Sequence, residues 1–283
     1  MILKYVSHNV VKIVDTNKFT LIVDKNSDIN TNIYLPEQVE IIHNKECNFK
    51  CSFCYYNDNK LSLDLFKYLD MIFNKSSYPG LIIRINLNSK DDDITELLKF
   101  FSDKNTVVVL QVTAKLFLNQ KSTIDKYKDY IDVIDVTPTK NIEIQLINKD
   151  IPKYDYVSKI VVSLIDRVIK FKKIHDLPEG LYHYRPFINK FGQIETTTFD
   201  VSRVNKNNTQ LVNADFGLKN GVKTAPNVLT NRRAINSLVL DFVDKRFYIP
   251  NLMSDNKTIF KNTTIDEMYY SLYSSLVNKF SHK

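Results

Sequence analysis

The sequence predicts an α/β fold, a partial (β/α)6 TIM-like barrel, and three observations carry that expectation. Six short runs rich in Val, Ile and Leu recur from Val39 to Phe187, separated by segments with helical spacing of apolar residues. Several of the runs, Thr106 to Val112 above all, are nearly continuous in apolar residues, as strands buried on both faces of a parallel sheet are. Pro79-Gly80 punctuates the chain just before the run Leu81 to Leu87. Repeated right-handed βαβ units are the simplest topology for such an alternation. A flat doubly wound sheet is the alternative arrangement of the same units.

The expected elements follow in order. Val10 to Val14 and Phe19 to Val23 form a hairpin about the turn signal Asp15-Thr16-Asn17-Lys18, within a β-rich lead-in over 1–35. The core spans 36–190. Its strands are Val39 to His43, Leu81 to Leu87, Thr106 to Val112, Val133 to Thr137, Lys159 to Leu164 and Leu181 to Phe187. Helices are expected at Ser62 to Phe73, from Asp91-Asp92-Asp93 through Phe101, around Leu116, Phe117, Ile124 and Tyr127, near Ile142 to Ile147, and at Ile165 to Ile174. Acidic residues in a first helical turn suit the helix dipole. An α+β extension occupies 191–283, with hairpins at Gly192 to Phe199 and Leu238 to Ile249, the second turning near Val243-Asp244-Lys245. An amphipathic helix follows from Thr264 to Phe280.

Composition narrows the class. With 43% hydrophobic and 25% charged residues, the chain reads as an ordinary globular protein. Met1 to Val14 lacks the apolar core of a signal peptide. No run approaches the about 18 apolar residues of a membrane span, so a cytoplasmic protein without a membrane partner is expected. The net charge of +7 permits a nucleic-acid partner. The Lys residues are nevertheless scattered, as Lys121, Lys126 and Lys128 are, and the chain is rich in residues that AT-rich codons encode; solvated helix faces explain the charge.

The 3 cysteines stand together in His43-Asn44-Lys45-Glu46-Cys47-Asn48-Phe49-Lys50-Cys51-Ser52-Phe53-Cys54. An odd, tightly spaced set does not form a disulfide framework and points to a metal. The spacing C-x3-C-x2-C, an aromatic residue before the last cysteine and the position after the first core strand resemble the signature of the radical S-adenosylmethionine (SAM) superfamily. The resemblance implies that Cys47, Cys51 and Cys54 hold one [4Fe-4S] cluster, with one iron left open for SAM, and that Phe53 packs near the adenine. A reductant such as flavodoxin or ferredoxin is then implied as a partner. The alternative is a zinc site completed by His43, because structural zinc takes four N or S ligands.

Members of that superfamily usually hold the SAM amino group with Gly-Gly-Glu after the second strand; here the stretch is Asn88-Ser89-Lys90-Asp91. Asn88 and Ser89 are therefore candidates for that role, with a helix-capping turn as their other reading. The resemblance further implies that some of the polar residues ending later strands, Gln111, Asp135, Thr137 and Ser163 among them, face the ribose and the methionine carboxylate. Arg185 suits a carboxylate because a guanidinium donates two parallel hydrogen bonds. The order of the extension, from Arg233 through Pro250 to the last helix, is similar to the SPASM or twitch region of peptide- and protein-modifying radical SAM maturases, without its cysteines. This implies a peptide or protein substrate. A nucleotide, nucleic acid or small molecule is the alternative substrate, and a zinc-binding or catalytically degenerate interaction module is the alternative of another class.

Overall fold

Cys47, Cys51, Cys54 and Phe53 lie outside the residues that the structure, a computed structural model, describes. Those are 2–7, 10–15, 20–24, 36, 38–45, 69, 72–73, 82–104, 106–165, 168–169, 177–178, 180–185, 210–214, 237–248, 257–258, 264–265, 267–268 and 270–272. The hairpin expected at Gly192 to Phe199 also lies outside them.

Three antiparallel strands come first: β1 (Ile2–Ser7), β2 (Val10–Asp15) and β3 (Thr20–Asp24), in the order β1-β2-β3. The expected hairpin is the β2–β3 pair, in the register Asp15↔Thr20 to Val11↔Asp24. Six strands then follow where the apolar runs place them: β4 (Gln38–Ile42), β5 (Ile82–Leu87), β6 (Val107–Thr113), β7 (Val133–Thr137), β8 (Lys159–Ile165) and β9 (Leu181–Arg185). They pair in parallel, each with its successor.

Two further strands extend this sheet at its ends. β10 (Gln210–Ala214) pairs in parallel with β9, and β11 (Ser237–Asp241) pairs in parallel with β4. The eight parallel strands therefore run β11-β4-β5-β6-β7-β8-β9-β10, a cyclic shift of the chain order. β12 (Arg246–Tyr248) and β13 (Lys257–Thr258) add antiparallel strands beyond β11. The molecule is thus a mixed α/β protein with a mostly parallel sheet. The hairpin expected from Leu238 to Ile249 is the β11–β12 pair, and its first strand belongs to the main sheet. It turns through 242–245, where Lys245 takes a left-handed φ of 54° and Asp241 Oδ1 accepts from Asp244 N at 3.0 Å.

Helices cover one face of the sheet: α1 (Thr95–Ser102), α2 (Ala114–Asn119), α3 (Lys121–Asp125) and α4 (Asn141–Asp150). Three boundaries differ from the expected ones. Asp91 to Asp93 precede α1 instead of forming its first turn: Asp93 Oδ1 accepts from Thr95 N at 3.0 Å. The segment around Leu116 and Ile124 is broken at Gln120 (φ −134°, ψ 44°) into α2 and α3, and Thr113 caps α2 by accepting from Leu116 N. The helix expected from Ile165 does not begin there: β8 continues through Ile165, and Val168 N and Ile169 N donate to Ile165 O; the rest of that expected helix, from 170 on, lies outside the described residues. Ile265, Glu267, Met268 and Tyr270 to Leu272 are helical, within the last expected helix. Thr264 and Glu267 cap its start reciprocally.

Side chains alternate between faces along a strand, and this divides the core. Val39, Ile41, Ile83, Ile85, Val108, Leu110, Ile134, Val136 and Val162 face the helices and pack with Leu98, Phe101, Phe117, Ile144 and Ile147. The other face begins apolar, with Val107, Val109, Val133 and Val161 against Ile82 and Leu181. Among the described residues no helix is long and apolar enough to cross a membrane. Leu110 is fully buried in the centre of this packing, so Leu110→Ala should destabilise the chain by about 2–5 kcal/mol, read from the shift in a denaturant unfolding curve.

Candidate functional site at the carboxyl ends of the strands

The second sheet face changes character along the strands. Past its apolar start, the positions of the same parity include Glu40, Arg84, Asn86, Gln111, Asp135 and Ser163, with Thr113 and Thr137 at the ends of β6 and β7. Register brings Glu40 level with Arg84, Asn86 with Gln111, Gln111 with Asp135, and Thr113 with Thr137. Glu40, Arg84, Gln111, Asp135 and Ser163 are buried, while Asn86, Thr113 and Thr137 keep partial exposure.

Charge inside a sheet demands a partner. Arg84 Nη1 donates to Asp135 Oδ2 at 2.7 Å, and Ser163 Oγ donates to Asp135 Oδ1 at 2.5 Å. Asp135 is 1% exposed, and each of its carboxylate oxygens accepts from a protein donor in a water-poor setting. Asn86 Nδ2 approaches Glu40 Oε1 at 3.5 Å. The Nε of Arg84 is buried without a hydrogen-bond partner. Four of the residues singled out in the sequence, Gln111, Asp135, Thr137 and Ser163, thus share one face. Arg185 holds the register position opposite Ile165 on β9.

Beyond the strand ends, the loops after β4 and β5 are tied together. Asn44 Nδ2 donates to Asp92 Oδ1 at 3.0 Å, Asn88 Nδ2 donates to Asn44 O at 2.7 Å, and Asn88 N donates to Asp92 Oδ2 at 3.3 Å. Tyr127 Oη donates to Asp92 O at 2.9 Å. His43 Nε2 lies 3.6 Å from Asp92 Oδ2, just past hydrogen-bonding range, and both ring nitrogens of His43 are buried without a hydrogen-bond partner. Burial acts most strongly on Asp92 and opposes its charge. His43, Asn44 and the Asn88 N–H outweigh it and hold the carboxyl below its ordinary value of 3.8. Ser89 completes a turn: its Oγ accepts from Asp91 N and its O from Asp92 N. Asn88 and Ser89 therefore both hold local structure, and Asn88 joins the β5 loop to the root of the cysteine loop.

A third cluster stands on the other side of that root. Lys45 is 3% exposed and donates to Asp241 Oδ2 at 2.7 Å and to Asp244 Oδ2 at 2.6 Å. Arg246 Nε meets Asp241 Oδ2 at 3.2 Å and its Nη2 meets Asp244 Oδ2 at 3.1 Å. Two cations and two anions from the β4 loop and the β11–β12 hairpin neutralise each other.

Cys47 follows Lys45 by two residues. Among the described residues no group of three or more His, Cys, Asp or Glu is placed to hold a metal ion.

Glu40, Arg84, Asn86, Lys45, Asp92, Asp241 and Asp244 were not among the expected site residues. The available signal was a charged residue inside an otherwise apolar run, as in Ile82-Ile83-Arg84-Ile85 and Val39-Glu40-Ile41. No protein-family model matches the chain, and no curated protein matches it.

Two predictions follow from these pairings. Arg84→Met leaves the Asp135 carboxylate buried and short of its cation, and should cost about 3–5 kcal/mol in a denaturant unfolding curve, while the double variant with Asp135→Asn recovers part of the loss. The second concerns pH. The folded-state value of Asp92 lies below its unfolded one, so its contribution is present above pH 3.8 and is lost as pH falls through the lower folded value. Asp92→Asn should therefore be less stable than wild type at neutral pH, with the gap in unfolding midpoints closing as the solution is acidified below 3.8.

Proposed function

We propose that this chain is a radical SAM enzyme built on a (β/α) barrel whose one [4Fe-4S] cluster is held by Cys47, Cys51 and Cys54. The observation that carries the reading is the place of the C-x3-C-x2-C loop. It leaves the carboxyl end of the first strand of the parallel sheet, on the rim where such folds carry their chemistry. The cyclic order of eight parallel strands supports a barrel rather than a flat doubly wound sheet, in which the strand order reverses from a central crevice.

Three thiolates suit the cluster because cysteines are its usual ligands, and a cubane held by three keeps one iron open. With SAM bound and one electron supplied by a flavodoxin- or ferredoxin-type reductant, the cofactors provide a radical that takes a hydrogen atom from the substrate. The chain's own residues bind and orient. Gln111 and Thr137 lie on the polar face that meets the rim, and in this reading they contact SAM or substrate, while Ser163, fully buried, supports that face through its bond to Asp135. Asp135 acts by fixing Arg84 and Ser163, to both of which it is bonded. Asn88 and Ser89 offer backbone groups to the amino end of SAM, because their side chains hold the loop. Arg185, near the end of β9, is the candidate partner of a carboxylate. A peptide or protein substrate rests on the likeness of the C-terminal region to maturases, and the excess of positive charge favours a nucleotide as the other class.

One observation favours a second reading. His43 has two buried ring nitrogens without hydrogen-bond partners and lies four residues before Cys47, so a zinc site of three cysteines and His43 is the rival. Metal analysis separates the two. Protein purified and reconstituted without oxygen should bind about four irons per chain, and reduction with SAM should release 5′-deoxyadenosine; Cys51→Ala should abolish both. Stoichiometric zinc with negligible iron, lost in His43→Ala, would instead establish the zinc module.

A further inference from the structure

The described residues hold one buried lysine, Lys45, with its charge taken up by two aspartates from a hairpin 196 residues further along the chain. A surface ion pair would say little, but this one is enclosed. Lys45 is 3% exposed and Asp241 0% exposed, and Arg246 meets the same Oδ2 atoms of both aspartates. The backbone cooperates: β11 lies in parallel register with β4, ending Asp241↔Ile42, and Phe242 N donates to Ile42 O at 3.0 Å. Ile42 of β4 packs with Val239, Val243 and Tyr248 of the hairpin. On the opposite side of the same three residues, Asn44 is held by Asp92 and Asn88, and His43 Nε2 stands 3.6 Å from Asp92 Oδ2. The segment 43–45 is thus gripped from two directions immediately before the first cysteine.

From this we infer that Lys45, Asp241, Asp244 and Arg246 are positioning residues for the cysteine loop, and that docking of the β11–β12 hairpin is a condition for metal binding there. The inference rests on the reading of Cys47, Cys51 and Cys54 as metal ligands. Three thiolates must converge on one small cluster, and the conformational entropy of the loop opposes this. Fixing the residue two positions before Cys47 removes part of that cost in advance. The hairpin is then a component of the metal site and not an appendage that closes the sheet edge. The neutrality of the quartet matters as well. Loss of Lys45 leaves buried Asp241 and exposed Asp244 with Arg246 alone to balance them, and the uncompensated negative charge opposes a thiolate-rich assembly nearby.

The test uses the full chain, purified without oxygen, as wild type and as Lys45→Met, Asp241→Asn and Lys45→Arg. Circular dichroism confirms that each is folded, and Asp244→Asn replaces Asp241→Asn if the latter is not. Amide hydrogen exchange is followed over peptides covering 43–58 and 237–248, and iron uptake is titrated with ferrous iron and sulfide. In Lys45→Met and in Asp241→Asn, both segments should lose protection together while 107–137 is unchanged. Iron affinity should fall about 10-fold or more, as with other residues that orient metal ligands. Lys45→Arg, which keeps the charge, should recover most of both. The inference is overturned if opening the hairpin leaves 43–58 protected, or if iron uptake by both variants equals that of wild type. Should wild type itself take up no iron, the radical SAM reading fails, and joint or separate loss of protection still decides whether the clamp exists.

Discussion

Arg84 and Asp135 must face each other because each is enclosed by the sheet and neither has water to turn to. Strands of a parallel sheet are covered on both sides, so a charge placed in one can be solvated only by another strand's side chain. That requirement organises the second face. Ser163 supplies the remaining donor to Asp135 from β8, and the three groups span β5, β7 and β8. Removing any one of them strands the others, which is why the cluster is costly to disturb even where it adds little net stability.

The same logic extends above the strand ends. Backbone polar groups of the loops after β4 and β5 need partners once they leave the ladder. Asn44, Asn88 and Asp92 provide them, and Tyr127 reaches in from beyond α3 to the Asp92 carbonyl. On the hairpin side the corresponding work falls to Lys45 with Asp241 and Asp244. Polar loops clamped by bonds of this kind form a firm edge on a sheet of which one face is covered by helices. A rigid rim is what a ligand site needs, since side chains on a mobile loop converge poorly on a small target.

Much of this was legible in the chain itself. The six apolar runs became β4 to β9 because their length and β-branched content suit doubly buried strands, and the N-terminal turn signal produced its hairpin. The polar residues at the ends of the runs, Gln111, Asp135, Thr137 and Ser163, fall on one face because strand periodicity is two. The helix starting at Thr95 shows the limit. A row of Asp91, Asp92 and Asp93 reads as a helical first turn, yet Asp92 is drawn into a tertiary network and only Asp93 serves the helix. Local propensity is overridden when a buried partner is available.

Strand positions, their parity and the cysteine spacing are properties of near neighbours in the chain, and the sequence determined them alone. The pairing of β11 with β4, the joining of Lys45 to Asp241, and the choice of Asp135 as the partner of Arg84 were decided only in the tertiary structure. Each links residues separated by 51 positions or more. Such contacts are selected by which charges are left without solvent after the sheet has assembled, and no local pattern carries that information.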